Sequence, residues 1–292
     1  MLRRLVLAAA LAATAAGAQD RPVVATVNYP LAWMAERLGG DGVAVLFPVP
    51  AGQDPSFWRP GLSEIAAIQQ ADVIALNGAA FADWTTRTTL PRSRLVDTSA
   101  AFADSYISTQ AVTHSHGADG EHSHTGTASY TWLDFDQAAR QAEALAAMMQ
   151  RRIPALSDTV AGNLPQLVDD LEALDADTRE ALADLRGSTI LATHPRYQYF
   201  ARAYGLDITA LEWETGAMPD PDQWQTLAAK KAETGASLLI WEAAPPKEAI
   251  AQADELGLRS VVLSPLAGRP ESGDFPSIMR DQITALSEAG EG

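Results

Sequence analysis

Apolar residues follow two alternating rhythms along this chain: short unbroken runs, and longer stretches with helical spacing. Residues 23–28 read as a strand, followed by a helix over 31–38 that stops at Gly39 and Gly40. Residues 43–47 form a second strand, 63–70 a helix, and 72–76 (DVIAL) a third buried strand ended by Asn77 and Gly78. This β-α-β-α-β order predicts a parallel sheet covered by helices. A second set follows: strands over 189–192, 208–213, 237–241 and 261–264, with helices over 198–204, 223–233 and 249–256 between them. The pattern therefore predicts two α/β halves, roughly 22–130 and 188–292, each able to form its own sheet.

Between the halves the rhythm is helical throughout. Residues 134–152 carry Ala, Leu and Met at helical spacing, and Pro154 marks a break or a fresh first turn. Residues 155–185 continue with Leu164, Leu167, Leu171, Leu174, Leu182 and Leu185 at helix-compatible intervals. Pro165 is expected to kink this helix or to begin a shorter one. Periodicity fits equally a stiff spacer between the halves and two packing helices inside one domain.

The front of the chain changes the picture of where it works. Arg3 and Arg4 precede an apolar run over 5–16, and Ala16, Gly17 and Ala18 supply small residues, so a signal peptide over 1–18 with cleavage before Gln19 is expected. The run is shorter than the roughly 20 residues of a membrane-spanning helix. With no cysteine in the chain, disulfides, thiolate ligands and a lipidated cysteine are all excluded. The mature chain is thus expected to be periplasmic and not lipid-anchored. Acidic residues outnumber basic ones 37 to 21, a formal charge of −16, which disfavours nucleic acid and anionic lipid and mildly favours cationic ligands.

Histidine placement carries the strongest chemical signal. Of five histidines, His114, His116, His122 and His124 fall in one segment, THSHGADGEHSH, within a polar loop over 113–125. Neutral imidazole binds zinc, copper or nickel, and the interspersed carboxylates attract cations, so capture of such ions is set against a merely solvated loop. His194 ends the run ILATH, where ligand sites of open α/β sheets lie, although a lone His is often structural. Arg196, Tyr197 and Tyr199 follow it. Trp213-Glu214 and Trp241-Glu242 each close a predicted strand, so Glu214 and Glu242 could reach the same cleft; alternatively, Glu242 caps the next helix. No nucleophile elbow, phosphate loop, HExxH or cysteine nucleophile is present, and no enzyme is expected.

In order along the chain, VVATVNYPLAWMAERLGG, PVPAGQDPSFWRP, EIAAIQQADVIALNG, the His-rich loop, TWLD, ATHPRYQYFARAYGL and GDFPSIM resemble the metal-specific periplasmic binding proteins of ABC transporters for zinc and manganese. The resemblance implies two α/β lobes, each with a mostly parallel sheet covered by helices, joined by one long rigid backbone helix. It divides the chain into an N-terminal lobe over 19–130, a helical region over 131–187 and a C-terminal lobe over 188–292. It also implies a metal, zinc first, bound in the inter-lobe cleft as transported cargo and passed by a monomer to a membrane permease. Such families supply four ligands, of which only His194 is in register. Ser56 and Tyr130 stand where histidines are expected, and Ser264, with Asp274 nearby, where an acid is expected.

Three completions of the site follow. The loop histidines join His194; or Asp54, Glu214 or Glu242 build a different site; or the cleft takes a metal complex held by Trp58, Trp132, Trp213, Arg59 and Arg196. A periplasmic metal buffer or chaperone without a permease is the other functional class. Imidazole-rich ligation leans toward zinc, with copper and nickel possible and manganese disfavoured.

Overall fold

The computed structural model describes residues 21–109 and 126–291. The expected signal segment 1–18 and His114, His116, His122 and His124 lie outside the described residues. In the first half, β1 (Val23–Thr26), α1 (Tyr29–Gly39), β2 (Ala44–Leu46), α2 (Leu62–Gln70), β3 (Val73–Leu76), α3 (Trp84–Arg87) and β4 (Leu95–Asp97) build a parallel sheet in the order β2-β1-β3-β4. Its central strands VVAT and VIAL lack polar alternation, as sheets covered on both faces require. Asn28 ends the first strand run and caps α1, its Oδ1 accepting the Leu31 N–H at 3.1 Å. β5 (Ser108–Thr109) and β6 (Gly126–Thr127) form a small antiparallel ladder at the roots of the histidine segment.

Gly78, after β3, sits at φ 77°, and a Cβ there would collide with Ser99 Oγ and the Asp97 carboxylate. Gly78→Ala is expected to cost about 1–3 kcal/mol of backbone strain before any clash is counted. An unchanged urea midpoint for this variant would refute that reading.

The second half repeats the plan with β7 (Thr189–Ala192), α6 (Gln198–Tyr204), β8 (Asp207–Ala210), α7 (Pro221–Thr234), β9 (Leu238–Trp241), α8 (Lys247–Glu255), β10 (Arg259–Val262) and α9 (Phe275–Glu291). The sheet order is β10-β9-β7-β8, again parallel throughout. The strand expected over 208–213 stops at Ala210: Leu211 N still reaches Ala192 O, but Trp213 N turns to Thr193 O. β4, whose apolar pair Leu95 and Val96 is flanked by Arg94 and Asp97, was not anticipated from the sequence.

α4 (Phe135–Arg152) and α5 (Ser157–Ala181) connect the halves. Val160, Leu167, Leu171, Leu174 and Thr178 make a buried stripe along α5 at helical spacing. The 25 residues of α5 span roughly 37 Å at the usual rise per residue. Its first part is fastened to α1 by Arg37–Asp170 (2.6 Å) and by Asn163 Nδ2 donating to Leu38 O (3.1 Å). Its end is fastened to α9 by Ser287 Oγ donating to Ala181 O (2.6 Å) and by Arg280–Asp177 (3.6 Å). One helix thus grips an element of each lobe, which makes it the backbone spacer, while α4 packs beside it.

Contrary to one sequence expectation, no new helix begins at Pro165; α5 runs through it. Pro165 and Ala161 both lie on the exposed side, so the carbonyl that loses its N–H partner faces water rather than a packed interior.

The lobes are not merely tethered. Tyr29 N donates to Ala267 O (2.7 Å), Trp132 Nε1 to Pro265 O (2.8 Å), and Arg269 pairs with Glu36 (2.6 Å). One apolar core runs from the first sheet through α4 and α5 to α9, and a second, with Trp213, Trp224 and Trp241, lies within the C-terminal lobe.

Candidate functional site

Each sheet has a point where successive strands are laid down in opposite directions from the first: between β1 and β3, and between β7 and β9. The strands' carboxyl ends splay apart there, and ligands of open α/β sheets bind in that crevice. In the N-terminal lobe the crevice is filled by amides. Fully buried Asn28, Asn77 and Gln141 satisfy one another: Asn77 Oδ1 accepts from Asn28 Nδ2 (3.1 Å) and from Gln141 Nε2 (3.2 Å). In the C-terminal lobe the crevice holds ionisable groups, His194 beyond β7 and Glu242 beyond β9.

Local backbone bonds fix these two side chains. Thr193 N donates to Ile240 O (2.9 Å), and Glu242 N donates to Thr193 Oγ1 (3.3 Å), so the two strand ends are stitched together. His194 Nδ1 then lies 3.5 Å from Glu242 Oε2, the oxygen that accepts the Thr215 hydroxyl at 3.1 Å. Pro195 carries the chain into a tight turn in which Arg196 N donates to His194 O at 3.0 Å. The turn aims the Arg196 guanidinium across the cleft. Its Nη2 is 2.7 Å from Asp54 Oδ2 on the N-terminal lobe, its Nε is 3.4 Å from Glu242 Oε1, and its head covers the Tyr130 ring at 4.7 Å. The cluster is sheltered, with side-chain exposures of 22% for His194, 11% for Glu242 and 9% for Arg196.

That shelter sets the protonation states. Burial, and then the Arg196 charge, lower the His194 pKa, with Glu242, the Trp213 backbone and Asp54 opposing. The imidazole is therefore neutral near pH 7, with a lone pair to offer. Burial works against the Arg196 charge, but Tyr130, Glu242 and Asp54 outweigh it and raise its pKa. The Tyr130 phenol is pushed well above its ordinary range by burial, so it remains a hydroxyl donor and not a phenolate ligand.

The other sequence candidates disperse. Ser56 spends its hydroxyl and N–H on Asp54 Oδ1 (2.7 and 2.8 Å) and lies 3.4 Å from the Tyr130 hydroxyl. The Ser264 hydroxyl accepts from Leu266 N at 3.3 Å, in the turn after β10. Asp274 Oδ1 receives Ser277 N (3.0 Å) in the first turn of α9, the duty of a helix cap. Glu214, exposed, lines a separate depression with Met218 and Gln223, because β8 ends before reaching it. Glu242 does not cap a helix, since α8 starts only at Lys247 behind Pro246.

The aromatic set proposed to hold a metal complex is also divided. Trp132 is fully buried, Trp213 packs in the C-terminal lobe core, and Trp58 and Arg59 line a cavity of about 190 Å³ with Trp84 and Arg87. Of that set, Arg196 alone touches His194's surroundings. Thr215 and Phe57, whose ring lies 5.4 Å from the Arg196 head, were missed by sequence reasoning. Neither has a local pattern that could have announced it.

The donor set can be tested against a zinc ion, which wants about four N, S or O donors. His194 and Glu242 stand side by side, and buried His194 Nδ1 has no hydrogen-bond partner. Asp54 faces them but is bound by Arg196 and Ser56. Among the described residues no group of three or more His, Asp or Glu side chains is arranged to hold a metal. Of the donors that zinc wants, the described cleft brings two together, His194 and Glu242.

Over 281 residues the chain is 24% identical to the zinc-binding lipoprotein AdcA of Streptococcus pneumoniae, covering 91% of this chain and 55% of that protein. It thus spans about half the length of that relative. The manganese-binding lipoprotein MntA of Halalkalibacterium halodurans is 24% identical over 220 residues, covering 72% of this chain and 69% of MntA. The structure of the Zn(II)-bound ZnuA-like domain of S. pneumoniae AdcA shares the fold, with a TM-score of 0.77 at 18% identity, over 93% of this chain and 100% of that one. With residues 23–289 matching the family of the periplasmic zinc-uptake complex component A, ZnuA, the chain belongs to that family.

Proposed function

We propose that this protein is the solute-binding component of an ABC importer: it captures a divalent cation, zinc first, in the cleft between its lobes and hands it to a membrane permease. The observation that carries the reading is the neutral His194 imidazole, its Nδ1 free of hydrogen bonds, beside the Glu242 carboxylate at the strand crossover. His194 and Glu242 serve as ligands, and one or more of His114, His116, His122 and His124 complete the shell. The segment holding those histidines is rooted at the β5–β6 ladder, and Ile107, next to β5, donates its N–H to the Tyr199 hydroxyl of the C-terminal lobe at 3.3 Å.

AdcA supports zinc as cargo, and MntA keeps manganese as the ion to test against it. The role is transport rather than catalysis. The apolar segment behind Arg3 and Arg4 supports export to the periplasm, and the lack of cysteine argues against a lipidated one as anchor. No helix among the described residues is long and apolar enough to cross a membrane. The two histidine pairs, set among acids in a single segment, favour a second reading, a periplasmic metal buffer with no permease.

Competition of the metal-free protein against a chromophoric chelator, with zinc and manganese in turn, tests the proposal. One tight zinc per chain and weaker manganese is the expected result. Several weak, interchangeable ions per chain would move the assignment to the buffer, and no binding of either ion would end it.

A further inference from the structure

Arg196 is placed where a cation belongs. Its guanidinium lies between carboxylates of opposite lobes, 2.7 Å from Asp54 and 3.4 Å from Glu242, with 9% of its side chain exposed. Glu242 is shared: one oxygen faces Arg196 Nε, the other faces His194 Nδ1 at 3.5 Å. Neither nitrogen gains a hydrogen bond from this sharing. The rings of Tyr130 and Phe57, 4.7 and 5.4 Å from the guanidinium carbon, provide the flat, electron-rich surroundings that a planar cation prefers. Formally, two carboxylates against one guanidinium leave the cleft a single negative charge. Without the guanidinium, two would face a divalent ion.

We propose that Arg196 is a tethered competitor cation, holding the Asp54 and Glu242 carboxylates so that an incoming divalent ion binds only by displacing it. This rests on the reading of the cleft as a cation site. Entry of the ion at His194 draws Glu242 off Arg196 Nε, and charge repulsion swings the guanidinium toward Asp54 and the cleft mouth. Affinity for the cargo is thereby held below what the unpaired carboxylates would give, and release is eased because the replacement cation is already in place. The Asp54–Arg196 pair also joins the lobes when no ion is bound.

The experiment measures zinc affinity by chelator competition on the full chain and on Arg196→Met, which keeps the stem and removes the charge, and Arg196→Lys, which keeps a charge. Arg196→Met is expected to bind zinc roughly tenfold to a hundredfold more tightly, the equivalent of one charge-assisted hydrogen bond no longer broken. Arg196→Lys should stay within a few-fold of the parent. Since Arg196→Met leaves two sheltered carboxylates unpaired, the double variant Asp54→Asn/Arg196→Gln serves if the single one fails to unfold cooperatively. Its Glu242 is equally released, so it too should bind more tightly than Asp54→Asn alone.

Affinity of Arg196→Met equal to or below that of the parent, or of the double variant equal to or below that of Asp54→Asn, overturns the inference while leaving the cation site standing. Zinc binding that appears only when Arg196 is removed supports the inference and overturns the proposed cargo. Absence of zinc binding in every variant overturns both.

Discussion

Replacing His194 by Ala is expected to weaken zinc binding by well over a hundredfold and to abolish growth support under zinc limitation, with little change in unfolding temperature. The imidazole is the one nitrogen donor among the described cleft residues, and burial keeps it neutral. Outer-shell partners of zinc ligands typically matter by tenfold to a hundredfold; losing the ligand itself should exceed that. Stability should respond little, because Nδ1 has no hydrogen-bond partner to lose and the imidazole gives up only its contact with the Trp213 backbone. Chelator competition on the purified variant reads the affinity. Parent-like binding would show that the ion sits elsewhere, on the histidines of residues 114–124, and would leave the cleft without a transport role.

The second large effect concerns how the lobes are held. Trp132 is fully buried, packs edge-on against Phe81 at 5.3 Å and tilted against Tyr130 at 4.8 Å, and donates its indole N–H to Pro265 O of the other lobe at 2.8 Å. Trp132→Ala removes a large apolar volume and leaves a buried carbonyl without its donor. Truncations of this kind cost about 3–5 kcal/mol, which for a chain of this size lowers Tm by roughly 10 °C. Trp132→Phe should restore part of the packing but not the hydrogen bond. A Tm loss under about 2 °C for Trp132→Ala would mean that this contact does not hold the lobes together. Because Tyr130 lies between Trp132 and Arg196, the Ala variant should also disturb cleft geometry, visible as weaker zinc binding even below its unfolding transition.

The three positions at which the family resemblance leads one to expect ligands, Ser56, Tyr130 and Ser264, have other duties in the structure. Ser56 and Tyr130 do not coordinate; they orient Asp54 and floor the guanidinium. Ser264 shapes the turn that presents Pro265 O to Trp132. Their side chains help to build the cleft and bring no imidazole or carboxylate to it.

Local sequence determined the elements and their order, because unbroken β-rich runs and helical spacing report burial on their own scale of a few residues. It placed His194 and Glu242 at strand ends, and flagged Arg196 and Asp54 as cleft residues, since a strand's carboxyl end is a position along the chain. It misplaced Glu214, whose strand stops three residues early when Trp213 turns toward Thr193. It gave no hint of β4, whose two apolar residues, Leu95 and Val96, stand between the charged Arg94 and Asp97, and it left two readings of the long helical region.

Tertiary structure alone decided the rest. α5 became the spacer through contacts made 133 residues apart, Arg37 to Asp170, and 106 apart, Ser287 to Ala181. Likewise, Asp54 and Arg196 meet across 142 residues of chain, and only closure of the two lobes makes one a partner of the other. Charge pairing and burial depend on distance in space, which the order of residues does not contain; that is why Arg196 was legible as a cleft residue and its pairing with Asp54 was not.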